Sequence, residues 1–230
     1  MTSPLMTTVV LHIGPVPITT PVVVTWAIMA ALLLFSITAT RRLSLTPSRF
    51  QATLELVVES IDSQIRDTMR AAPAPYRALI GTLFIYTLLA NWSSMIPGVE
   101  PPTAHLETDA AMAIIVFFAA MYFGIRARGV AGYLKTFVQP SFIMLPLNIA
   151  EAFTRTFSMT VRLFGNVMSG VFIIGVVLSL AGLFVPIPLM ALDILTGAIQ
   201  AYIFTVLSMV FIASAVDENL HPPLKERSPA

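Results

Sequence analysis

The chain has 230 residues, 57% of them apolar and 11% charged, with a formal net charge of +1 and a mean hydropathy of +0.85. Soluble domains carry about 25% charged residues, so water is not this chain's main solvent, and the near-zero charge without clustered Lys and Arg argues against a nucleic-acid partner. There is no cysteine, which excludes disulfide frameworks and thiolate metal sites; His12, His105 and His221 are scattered, and no metal site or cofactor is expected.

In chain order, the first apolar stretch is Pro21–Thr38. Met1–Thr40 contains no Lys or Arg, so the basic n-region of a secretory signal is missing and the stretch is expected to be kept as a span, over 18–40. Next comes a segment in which Phe50, Leu54, Val57, Ile61, Ile65 and Met69 recur at helical spacing, while Glu55, Glu59, Asp62, Arg66 and Arg70 fill the other face. This predicts an amphipathic helix over 46–72, started by the caps of Thr46-Pro47-Ser48, lying along the membrane surface or bridging two spans as a solvated linker.

Ala78–Ile96 and Ala110–Ile125 are each apolar enough to cross a hydrocarbon core about 30 Å thick and predict a helical hairpin over 76–126. Two longer apolar runs, about Leu145–Phe184 and Ile187–Ala215, form a final pair over 141–218. A helix of about 40 residues would be about 60 Å long, so tilt is the economical reading. The expected fold is an all-α membrane protein, one integral domain of about five transmembrane helices plus one amphipathic surface helix, its last two helices long and tilted.

Arg41, Arg42, Arg49, Arg66, Arg70 and Arg77 fall between the first and second spans, and Arg126, Arg128 and Lys135 between the third and fourth. The positive-inside rule makes those loops cytoplasmic. Pro97–Asp109 holds Glu100, Glu107 and Asp109 with no basic residue and belongs outside, as does the Pro186–Pro188 turn. The N-terminus is then outside, and the tail with Lys225 and Arg227 is cytoplasmic.

Ionisable groups at membrane depth are costly and usually face a partner, a cavity or a pathway. Between Leu145 and Val216 they are Glu151, Arg155, Arg162 and Asp193. Glu151 and Arg155 are an i,i+4 acid-before-base pair near a helix end, as suited to a structural ion pair as to an ion path. Arg162 has no such escape, since the apolar run Val171–Leu180 follows it. It shares a face with Asn166 and Ser169, and Gly165 with Ser169 makes a small-xxx-small pair that would let another helix approach. Asp193, Gly197 and Gln200 repeat the spacing on the last helix. The two stripes could face each other or a shared partner, and a buried Arg162–Asp193 ion pair is the plain structural alternative.

The run Arg162-Leu163-Phe164-Gly165-Asn166, preceded by Pro146-Leu147-Asn148 and followed by Gln200-Ala201-Tyr202-Ile203-Phe204, resembles the signature of subunit a of F-type ATP synthases. Asn91 before Met95-Ile96-Pro97, and Pro102-Thr103-Ala104 in the outer loop, match in the same order, and the likeness runs from about Phe50 to Glu218. The resemblance implies a stator subunit without catalytic chemistry of its own, partnered by the ring of c subunits, the peripheral-stalk b subunits and the rest of the synthase, in lipid, in a bacterial inner membrane. It makes Arg162 the arginine facing the ring, with Asn166, Asp193 and Gln200 along the path of a proton or sodium ion. Ser169, Glu151, Arg155, Asn91, His105, Glu107 and Asp109 are candidates for two half-channels. The chain departs from the pattern of many relatives at Val171, where they carry an acid, at Asp193, where they carry His, and at Thr103-Ala104-His105-Leu106-Glu107, where they read Thr-Ala-Asp-Leu-Asn. Asp193 would then do alone the work of the usual pair, and His105, Glu107 and Asp109 form either a channel mouth or a loop of solvated charges. Two other functions compete: a self-contained secondary transporter or channel, although no internal repeat is visible, and a purely structural assembly subunit. No phosphate-cradling Gly-rich loop is present, so nucleotide chemistry would belong to partners.

Overall fold

A computed structural model describes residues 9–13, 16–41, 49–96, 99–138, 144–181 and 185–216. It contains six α-helices: α1 (Thr20–Thr40), α2 (Arg49–Met69), α3 (Arg77–Trp92), α4 (Leu106–Val138), α5 (Met144–Ala181) and α6 (Pro186–Val216). Short 3-10 turns at Ser93–Met95 and Pro102–Ala104 lie between α3 and α4. All of these helices except α2 are long and apolar enough to cross a membrane. They leave large apolar side chains facing outward, among them Leu33, Phe118, Phe153 and Leu180. Water would penalise such a surface, whereas lipid accepts it and requires the backbone bonds to be closed within each helix.

Sequence periodicity decides which face of each helix turns inward. On α5, Met159, Leu163 and Val167 recur every four residues and are buried. On α6 the buried face is broader and includes Phe204, Met209 and Ile212. These pack with Ile80 and Leu83 of α3, Met112 and Val116 of α4, and Ile65 and Met69 of α2 in one core. Helix α6 is the hub, touching α2, α3, α4 and α5, while α1 is peripheral, with Pro21 its one buried residue. At 38 and 31 residues α5 and α6 are about 57 and 46 Å long, so neither fits a core of about 30 Å upright.

Three features differ from the sequence expectation. A two-stranded antiparallel hairpin, β1 (Val9–Ile13) and β2 (Val16–Thr19), precedes α1. Helix α4 runs on past residue 126 to Val138 across a break at Gly129, whose φ of +73° favours glycine. Beyond that break Tyr133 turns back against Gly124, where a Cβ would lie 2.6 Å from its ring and 3.1 Å from the Ala215 carbonyl. Helix α2 is neither a free linker nor wholly a surface helix: its first half is exposed, but Asp62, Ile65 and Met69 are buried against the bundle. The caps expected of Thr46-Pro47-Ser48, and the tail with Lys225 and Arg227, lie outside the described residues.

Asp62 anchors that buried half through a two-point ion pair with Arg77 at the start of α3. The hydrogen bonds from Arg77 are the main reason the Asp62 carboxyl sits below its ordinary range. A depressed carboxylate pKa contributes stability above the unfolded value of about 3.9, and loses it as pH falls through the lower folded value. Asp62→Asn is therefore expected to loosen α2 at pH 7, seen as faster trypsin cleavage after Arg66 and Arg70. The difference from wild type should vanish in a hydrogen-exchange comparison at pH below the folded Asp62 value. Equal cleavage of the two proteins at pH 7 would remove this pair as an anchor.

Candidate functional site

Because Leu163 is fully buried, its neighbour Arg162 is carried to the outside of α5, where it is exposed. Among the described residues the guanidinium has neither an ion pair nor a hydrogen-bond partner. Its surroundings are apolar or small: Phe157 and Val161 are exposed beside it, and a Cβ at Gly165 would meet nothing within 4 Å. The alternative of a buried Arg162–Asp193 pair is thus overturned. Asp193 contacts α5 at Gly170, two turns further along, about 12 Å down the axis from Arg162.

Asp193 is half-buried where α6 passes α5 and the end of α3. Ser94 donates a hydrogen bond of 3.0 Å to Asp193 Oδ2, and Oδ1 lies where a Cβ on Gly170 would come within 2.2 Å. Around it α3 is stitched to α6: the Asn91 amide donates to the Gly197 carbonyl at 2.8 Å, and the Trp92 indole to the Ile194 carbonyl at 3.1 Å. Gly197 permits this, since a Cβ there would be 3.2 Å from Asn91 Cβ. The last-helix stripe therefore splits. Asp193 reaches α5, but Gly197 faces α3 and Gln200 is buried at 7% exposure. The two stripes do not run face to face.

The expected small-residue contact also moves. Gly165 and Ser169 are exposed, and the Ser169 hydroxyl bonds back to the Asn166 carbonyl; the close approach within the chain happens at Gly170. Sequence reasoning missed Gly170 and Ser94. One signal existed: Gly170 is the last small residue of the stretch before the apolar run.

From Arg162 toward the start of α5, Ser158, Arg155 and Glu151 continue one polar stripe. With Leu147 and Leu207 they line an open groove of about 630 Å³ that ends at Arg162. Arg155 is firmly held. It binds Glu151 at 2.6 Å and Ser214 at 3.3 Å, with its guanidinium 5.2 Å from the centre of the Phe211 ring, so it ties α5 to α6 besides making the expected ion pair. Arg128 acts nearby, donating at 3.3 Å to the Val216 carbonyl at the end of α6, where a helix favours positive charge.

At the opposite end the acidic loop is not uniformly solvated. His105 Nε2 lies 3.5 Å from Glu100 and Glu107 is exposed, as a mouth of surface charges would have it. Asp109 departs from that picture: it is fully buried at 0% exposure, because the Pro102–Ala104 turn folds down onto α3, α4 and α5 and covers the first turn of α4.

Comparison with known proteins bears out the family resemblance. ATP synthase subunit a 2 of Bradyrhizobium sp. is 59% identical over 93% of this chain and 96% of its own length. The subunit a 2 of Acaryochloris marina is 48% identical over 86% and 85%, and the subunit a of Albidiferax ferrireducens 46% over 84% and 85%. The sequence profile described as ATP synthase A chain matches residues 22–213, a range that begins within α1, takes in α2 to α5 and ends within α6, and the chain belongs to that family of multi-pass membrane proteins.

Proposed function

We propose that this chain is the ion-translocating stator subunit of an F-type ATP synthase, with Arg162 facing a rotating ring of c subunits. The observation that carries the reading is an arginine exposed on the outer surface of α5, a helix long and apolar enough to cross a membrane, with no ion pair or hydrogen bond among the described residues and beside the open surface at Gly165. A charge so placed costs about 2.5–3.5 kcal/mol on insertion scales unless something engages it. A carboxyl on a neighbouring rotor is the fitting partner: neutral while in lipid, it becomes tolerable as an anion beside the guanidinium.

The two polar regions supply separate access. The groove from Glu151 through Ser158 to Arg162 opens at the arginine-rich end, assigned to the cytoplasm by the positive-inside rule. Asp193, with Ser94 and Asn91, serves access from the acidic-loop end, outside. Arg162 stands between them, so a proton or sodium ion cannot pass directly and must ride the ring. Asn166 and Gln200 continue the polar path on either side. Nucleotide chemistry belongs to partner subunits, the b subunits hold the chain against rotation, and the membrane is a bacterial inner membrane. No bound cofactor enters the cycle.

Arg162→Ala tests the reading. Coupled ATP synthesis in vesicles should be lost while the membrane sector still assembles in normal amount. Retained synthesis, or solute transport by the purified chain alone, would overturn it.

A further inference from the structure

Asp109 is a fully buried carboxyl that this mechanism leaves unused. It sits in the first turn of α4, its backbone N–H bonded to the His105 carbonyl, and neither carboxyl oxygen has a hydrogen-bond partner among the described residues. An unpartnered carboxylate out of water is too costly to stay charged, so the site holds the neutral acid, whose O–H must itself find an acceptor. Two further buried acceptors lie unpaired on the segments enclosing this end: Thr103 Oγ1, in the turn over α4, and Asn91 Oδ1, at the end of α3. Tyr86 is within electrostatic reach of Asp109 and shares its hydroxyl with Thr25 of α1. Buried polar atoms of this kind are ordinarily satisfied by bound water.

Asp109 adjoins the loop through its backbone bond to His105, and Tyr86, within electrostatic reach of it, lies on α3, the helix that also carries Asn91. On the loop side is the Glu100–His105 pair; on the inner side Asn91 binds α6 beside Ser94, the hydrogen-bond partner of Asp193. We propose that Asp109 is a proton relay between the Glu100–His105 pair and Asp193, a role that rests on the stator reading above. In each passage the Asp109 O–H bond breaks as its proton moves inward through water toward an Asp193 oxygen. The transient carboxylate then takes a proton from the loop side, and Asp109 ends neutral as it began. A second acid is thereby supplied from α4, in a chain that has Val at position 171.

The test uses the whole synthase in vesicles, comparing Asp109→Asn, which keeps the shape but cannot relay, with Asp109→Glu, which can. ATP-driven proton uptake is expected to fall about tenfold in Asp109→Asn, less than a general acid's full contribution because water offers a bypass. Asp109→Glu should restore most of it, with assembly unchanged. The infrared spectrum should show a protonated-carboxyl band that disappears in Asp109→Asn and shifts in Asp109→Glu. Wild-type uptake by Asp109→Asn, or equal impairment of both variants, overturns the relay, as does an altered sodium requirement, which would make Asp109 a sodium ligand. Should Asp109→Asn fail to assemble, the infrared band decides: a shift in Asp109→Glu supports the relay and its absence overturns it. Arg162→Ala is measured alongside. If it is uncoupled while Asp109→Asn is normal, the relay alone fails; if Arg162→Ala stays coupled, the stator reading fails beneath it.

Discussion

Arg162→Lys is expected to abolish rotation-coupled ATP synthesis, with a loss of about two orders of magnitude or more, the size found when one prepositioned hydrogen-bond donor is removed from a reacting site. Both side chains are cations in water, so the prediction turns on what each does at bilayer depth. Arginine stays charged there and presents a planar fork that can grip both oxygens of a carboxylate; a lysine ammonium is a point charge that desolvation can strip of its proton. Among the described residues no acid pairs with position 162, so none of them would hold a lysine there in its charged form. In the intervals when the amine is neutral, the arriving carboxyl has no reason to release its ion and the barrier between the two access routes drops. Loss of synthesis should therefore come with a measurable passive ion leak through the membrane sector. Synthesis near the wild-type rate, with no leak, would show that any cation suffices and that geometry at this position is unimportant.

What the sequence reveals about this architecture follows from the physics of each feature. Membrane spans are legible because lipid imposes a length and a composition on one continuous segment, and all five follow from apolar run lengths such as Leu145–Phe184. The amphipathic α2 is legible because Phe50, Leu54, Val57, Ile61, Ile65 and Met69 follow the helical period. The β1–β2 hairpin is not, since Val9–Thr19 is short and its pairing is fixed only when two strands meet. Polar stripes show which residues share a face but not what that face meets. Arg162 and Gly165 look like a helix contact in sequence, and in the fold they are outer surface; Gly170 makes the actual close approach. Asp109 shows the same limit in reverse. Next to Glu107 it reads as one more solvated acid, and only the Pro102–Ala104 turn folding over it makes it buried.

Gly170→Ala is expected to impair ion translocation by displacing Asp193, although neither residue lies near Arg162 along α5. The added methyl would stand 2.2 Å from Asp193 Oδ1 and 3.1 Å from Cγ, well inside contact distance. The short carboxylate must turn about χ1 or χ2, and either rotation displaces Oδ2 from the Ser94 hydroxyl now 3.0 Å distant. Overpacking of this kind costs about 1–3 kcal/mol, but the larger consequence is functional, since the acid no longer occupies the gap between α5 and the end of α3. A fall in ATP-driven uptake of about tenfold is expected, the equivalent of roughly 1.4 kcal/mol in barrier height. The cause is separable from general damage to the helix pair by a double-mutant comparison. If the methyl acts through the carboxylate, Gly170→Ala should add nothing once Asp193→Ala has removed the colliding atoms, and the double variant should transport at the rate of Asp193→Ala alone. Additive losses would mean that the methyl disturbs the packing of α5 on α6 itself. Position 170 would then matter for assembly and not for where the acid stands.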